Sequence, residues 1–244
     1  MADPVVKALT WDTEGERFYE TGVDHVILFT KTASTVTTVN GGYTTGVAWN
    51  GITAINEAPS GAEASPLYAD NIKYLNLVAN EDYGGSIEAY QSPEEFDICD
   101  GSASPVAGLK FSQQARKQFA VAYRTKIGND IDGDSKGFKL HIVYGCQATP
   151  SERQYTTTNE SPEAMTLSWD FTTTPVNVGK INNVEYKPVA HVEIDSRYAD
   201  EDALADLIEI LEGKDPVTGE SPVAGVASRL PMPAELYTLL TPST

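Results

Sequence analysis

The stretch Phe119–Cys146, FAVAYRTKIGNDIDGDSKGFKLHIVYGC, decides the fold. Phe119, Val121, Tyr123, Thr125 and Ile127 fall on one side of an extended chain, and Ala120, Ala122, Arg124 and Lys126 on the other. Successive side chains of a strand point to opposite faces, so this alternation reads as a half-buried strand. Phe138, Leu140, Ile142, Tyr144 and Cys146 then share a face opposite Lys139, His141 and Val143. Between the runs lies GNDIDGDSKG, rich in the Gly, Asp and Asn that turns require. The pair reads as a β-hairpin with a longish tip.

Working outward, a third strand places Met165, Leu167, Trp169 and Phe171 inward and Thr166, Ser168, Asp170 and Thr172 outward. Weaker strand patterns cover 23–31, 47–56, 71–79, 85–90 and 185–194. The expected fold class is mainly β, an antiparallel sandwich or barrel. Helix is scarce. In 197–212, Leu204, Leu207, Ile208 and Leu211 recur at helical spacing, Gly213 sits where a helix-ending glycine belongs, and Asp200, Asp202, Asp206 and Glu209 fill the opposite face. Such a helix lies on the sheets or on a neighbouring subunit. A short helix is expected from Pro93, with Ser92 as its cap. The organisation expected is one β domain over 1–213, including the helix, and a proline-rich arm over 214–244 with a short turn of helix at 234–240.

The 244 residues carry 41% hydrophobic and 21% charged side chains, a composition that excludes a wholly disordered chain. No run approaches the length of a membrane span, and the start lacks a signal-peptide core. Cys99 and Cys146 fit no zinc or redox spacing and read as reduced thiols of a protein made in the cytoplasm, with a disulfide between them as the open alternative. Net charge is −18. Residues 1–100 hold 16 acidic and 4 basic side chains, 101–150 hold 3 and 7, and 151–244 hold 16 and 6. An acidic chain repels the phosphate backbone, so specific nucleic-acid binding is not expected. The basic middle against acidic ends is compatible with complementary surfaces between copies, and equally with a charge that only keeps the chain soluble.

Chemistry finds little foothold. His25, His141 and His191 are far apart, each in a strand-like run, and no metalloprotease, nucleophile-elbow or phosphate-loop motif is present. The acidic groups at 94–95 and 200–202 sit at helix starts, where the helix dipole accounts for them. Asp130, Asp132 and Asp134 alternate as in calcium loops, but twelve residues from Asp130 ends at His141 where a bidentate Glu is needed. A hairpin tip is the preferred reading, so no catalytic residue, cofactor or metal is expected. Residues 31–46, KTASTVTTVNGGYTTG, carry one charge and no periodicity. They read either as a partner-ordered loop or as a mobile surface hairpin.

Several blocks are similar to a known family. GVAWNGITAINEAPSGAEASPLYADNIKY (46–74), EAYQSPEEFDICDG (88–101), FAVAYRTKIGND (119–130) and KLHIVYGCQATPSERQYTTTNESPEAMTLSWDFTTTPV (139–176) resemble, in order, the major tail protein of long-tailed, non-contractile bacteriophages of Gram-positive hosts. The resemblance runs from about residue 22 to 195. It implies a β-sandwich or barrel with a flanking helix and a long loop that reaches the adjacent ring. Subunits of this kind close into rings, usually of six, and stack into the tail tube of the virion. Genomic DNA passes through that tube without specific binding and without any membrane role for the subunit. The implied partners are other copies, the tape-measure protein, and the tail terminator and distal tail proteins. Ser34, Thr38, Asn40 and Tyr43 of the loop, with Arg124 and Lys126, are the candidate interface residues. Two alternatives stay open: a calcium-dependent carbohydrate-binding β-sandwich, and the inner tube of a contractile tail or secretion device.

Overall fold

The computed structural model describes residues 8–32, 41–158, 160, 164–217 and 224–241. In chain order the strands are β1 (Tyr19–Thr30), β2 (Val47–Ala48), β3 (Ile52–Glu57), β4 (Ser60–Gly61), β5 (Ala64–Ala69), β6 (Ile72–Val78), β7 (Glu81–Asp82) and β8 (Gly84–Ala89). They continue with β9 (Ala103–Val106), β10 (Leu109–Phe111), β11 (Phe119–Asn129), β12 (Gly133–Ala148), β13 (Leu167–Thr173), β14 (Gly179–Ile181), β15 (Val184–Tyr186) and β16 (His191–Asp195). The helices are α1 (Asp97–Asp100), α2 (Glu201–Glu212) and α3 (Pro233–Leu240). With 47% of residues in strands and 12% in helices, the protein is mainly β.

The hairpin read from the sequence, β11 with β12, is the spine of an antiparallel sheet in the order β2-β1-β11-β12-β13-β8-β3. Its tip is tighter than expected, because Asn129 already pairs with Gly133. The Asn129 side-chain oxygen Oδ1 accepts from the backbone N–H groups of Ile131 and Asp132 and closes the turn. Farther along, the same edge of β12 takes two partners in succession: β16 along Lys139–Val143 and β13 along Cys146–Ala148. The sheet therefore forks, and Gly145 stands at the fork with φ +62°. A Cβ there would lie 2.1 Å from the Thr174 carbonyl oxygen, so no other residue fits.

The fork also corrects the expected alternation. Phe119 pairs with Cys146 but Val121 with Val143, so β12 carries one extra residue at this point. Beyond the bulge the faces exchange, and Cys146 joins the side of Val143 rather than that of Tyr144.

Both faces of the central strands are buried, against different layers. One face, with Phe119, Val121, Tyr123 and Val143, meets Ile87, Trp169 and Phe171 of the β13-β8-β3 half and Trp49, Phe96 and Cys99. The rings of Trp49, Phe96, Phe119 and Trp169 pack edge to face or tilted at centroid distances of 4.6–5.5 Å. Both cysteines are free and lie in this core, and burial pushes the Cys99 thiol up to about 12. The other face, with Ala120, Ala122, Leu140 and Ile142, is covered by Leu204, Leu207 and Leu211 of α2 and Leu236 of α3. Small residues at 120 and 122 let the helices approach.

α2 begins at Glu201 rather than 197, because the Asp200 carboxylate caps it by accepting from the Ala203 N–H at 3.0 Å. At Ser92 the expected cap is not made: a 3-10 turn over Glu94–Phe96 starts after Pro93 with no side-chain cap, and leads into α1. Past Gly213 the proline-rich segment returns across the helix. Lys214 bridges Val226, the Arg229 N–H donates to the Ile210 carbonyl, and Leu230 is fully buried beside α2. The apolar side chains of this segment give it a place in the core shared with residues 1–213.

Candidate functional site

Of the interface residues expected from the sequence, Ser34, Thr38 and Asn40 lie outside the described residues. Tyr43 is 4% exposed, and its hydroxyl accepts from the Gly145 N–H at 2.9 Å, so it braces the fork from inside the core. Burial raises its pKa to about 12. Arg124 is largely covered. Its guanidinium reaches Asp24 at 3.6 Å and Glu212 at 3.7 Å and lies 5.4 Å over the Phe138 ring. Lys126 is half-exposed and faces Asp134 at 3.7 Å. The two residues thus differ: Arg124 ties β11 to β1 and α2, whereas Lys126 is a surface side chain.

The aspartates of the DIDGD stretch do not converge. Asp130 accepts from the Gly15 N–H and pairs with Arg17, Asp132 pairs with Lys136, and Asp134 faces Lys126. Each carboxylate serves a different partner at a hairpin tip, and the arrangement gives a calcium ion no shared centre.

Two features stand out that local spacing did not flag. The first is an arm. β3 and β8 belong to the main sheet, but the same two chain segments run on through β4 with β7 into β5 with β6, a separate two-stranded ribbon. All thirteen residues of β5 and β6 are exposed. Leu67 lies opposite Leu75 on one face with Leu77, and because the register slips by one residue between Leu67 and Tyr68, Ile72, opposite Ala69, returns to that face, whereas Tyr68 and Val78 lie on the other. Tyr68 is 71% exposed, Tyr74 67% and Leu77 55%. A lone two-stranded ribbon is marginal in water, and this one has apolar residues on both faces and no further strand on either edge among the described residues. The 71–79 strand pattern is present as β6. Its partner β5 carries Pro66, which disguises a strand in sequence and is tolerated at a ribbon edge.

The second feature is a polar cluster at the arm's base. The pairing of β12 with β16 sets Val143 opposite His191 and His141 opposite Glu193, so the two histidines are diagonal neighbours. His141 Nδ1 and His191 Nε2 are 3.1 Å apart, and Glu57 Oε1, at the end of β3, is 3.6 Å from each. The Tyr123 ring stacks on His141 at 4.7 Å and the Tyr83 ring on His191 at 5.0 Å. Tyr123 donates to Glu57 at 2.6 Å, and the Tyr83 hydroxyl is buried beside this pair. Desolvation, foremost, and the Glu57 charge push the phenol pKa of Tyr83 up. Desolvation also holds His191 below its ordinary value. Lys139 bridges Glu20 at 2.9 Å and Glu193 at 3.2 Å along the rim. His25, the third histidine, is remote from this group, exposed and paired with Asp24.

No protein-family model matches the chain, and no curated protein matches it.

Proposed function

We propose that this chain is a self-assembling structural subunit of a phage tail tube, closing into rings that stack into a conduit for DNA. The observation that carries the reading is the ribbon of β5 and β6. Apolar on both faces and open on both edges, it needs cover from two sides at once. A second copy on each side supplies that cover, and head-to-tail contacts of this kind close into rings or extend as filaments. Strand addition at the open edges would join the ribbons of neighbouring subunits into one continuous wall. The surrounding fold, an antiparallel sheet with α2 packed on one face, suits this role, as does an acidic balance that does not hold DNA.

Negative-stain electron microscopy of the untagged protein over rising concentration tests the proposal. Rings or hollow tubes are expected. A variant carrying Ile72→Thr, Tyr74→Thr and Leu77→Thr should stay close to the parent's thermal midpoint, since these side chains are exposed and β-branched threonine suits a strand, and should remain monomeric. A parent that stays monomeric throughout and behaves identically to the variant would set the reading aside.

A further inference from the structure

We propose that Glu57, His141 and His191 form a binding site for one divalent transition-metal ion of the zinc class. Three donors held about 2.0–2.1 Å from a tetrahedral zinc stand roughly 3.3–3.4 Å from one another. Here Glu57 Oε1, His141 Nδ1 and His191 Nε2 form a triangle with sides of 3.1, 3.6 and 3.6 Å. These three ligand atoms all lie within 4.8 Å of one another.

The surroundings favour the metal-ready form. Thr125 donates its hydroxyl proton to Glu20 Oε1 at 2.5 Å, so toward His141 Nε2, 3.1 Å away, the same oxygen accepts. That places the ring proton of neutral His141 on Nε2 and leaves Nδ1 with a free lone pair. A histidine ligand whose far N–H is held by a hydroxyl and a carboxylate has the orienting shell that metal sites use. The stacked Tyr123 and Tyr83 rings fix both imidazole planes. Without metal, His191 Nε2–H donates to His141 Nδ1. On metal binding that proton is replaced, and neutral His191 carries its proton on Nδ1 instead, exchanged through water.

Charge and donor type select the ion. Glu20, Glu57 and Glu193 against Lys139 leave the cluster net negative, which suits a dication. Two imidazoles with one carboxylate prefer zinc and its first-row neighbours over calcium or magnesium. The ion would join the base of the arm, through Glu57, to β12 and β16. The site therefore stands apart from the assembly reading, and is read out on single subunits.

The test uses the full chain, stripped with EDTA, exchanged into chelator-free buffer and titrated with zinc chloride. One zinc per chain is expected after gel filtration, with a raised thermal midpoint. Cobalt loading should give the visible absorption of a low-coordinate nitrogen–oxygen site. Glu57→Gln, which keeps the acceptor for Tyr123, and His191→Gln should each weaken zinc binding by at least about tenfold and remove the midpoint rise. His25→Gln should change neither. Failure to retain zinc, or retention unaffected by Glu57→Gln and His191→Gln, would overturn the proposal.

Discussion

Gly145 shows how much one residue decides. Its positive φ and its close approach to Thr174, where a Cβ would fall 2.1 Å from the carbonyl oxygen, let β12 change partner from β16 to β13, while its N–H donates to Tyr43. Gly145→Ala meets both an unfavourable backbone region and a closed space, so a loss of at least about 2 kcal/mol is expected in urea unfolding. Asp195 is a second such residue. Its carboxylate accepts from Arg197 Nε at 3.0 Å, Nη2 at 2.6 Å and the Arg197 N–H at 2.9 Å. The Arg197 side chain, above all, holds that carboxyl below its ordinary value of 3.8. A depressed carboxylate stabilises the fold above its unfolded-state value, and the contribution fades as pH falls through the lower folded value. Asp195→Asn is therefore expected to cost about 1–2 kcal/mol at pH 7 and at pH 5. The difference from the parent should shrink below about pH 4, by denaturant unfolding at each pH. A gap that persists unchanged into strong acid would refute this account.

At the scale of elements, Arg124 and Lys126 lie on one face of β11 yet belong to different structures. Arg124→Glu would set a third carboxylate beside Asp24 and Glu212 and is expected to destabilise the subunit by about 2–4 kcal/mol. Lys126→Glu, at a half-exposed side chain, should stay within about 0.5 kcal/mol of the parent in thermal melts. Lys126→Glu is consequently the clean probe of an interface on this strand. The contrast also marks what the sequence could say. Alternation over 119–127 located β11 and its faces, because burial on a strand has period two. It did not tell that the face bearing Ala120 and Ala122 is as buried as the other, since small residues reveal a covering helix only once α2 is in place. In β12 the bulge at Gly145 reversed the phase, and a single glycine inside an apolar run gives no local sign of which way. β6 was legible and β5 was not, because Pro66 masks the strand. His141 and His191 are 50 positions apart with Glu57 farther still, and only strand register and sheet curvature unite them. No spacing rule reaches across such distances.

For the whole molecule, the uneven charge along the chain suggested attraction between copies, but the basic middle is engaged at home. Lys110, Arg116, Arg124, Lys126, Lys136 and Lys139 each face a carboxylate of their own chain. What one copy presents to another then includes the residual −18 and the apolar ribbon of β5 and β6. Repulsion between like-charged subunits is long-ranged at low salt, where the screening length is about 30 Å at 0.01 M, and short at 0.15 M, where it is about 8 Å. Burial of apolar surface does not weaken over that range. Raising sodium chloride from about 10 mM to about 150 mM should therefore lower the protein concentration at which rings or tubes appear, followed by light scattering with microscopy of the endpoints. The opposite trend, assembly that dissolves as salt rises, would mean that ion pairs between copies hold the subunits together and that the ribbon is not the principal contact.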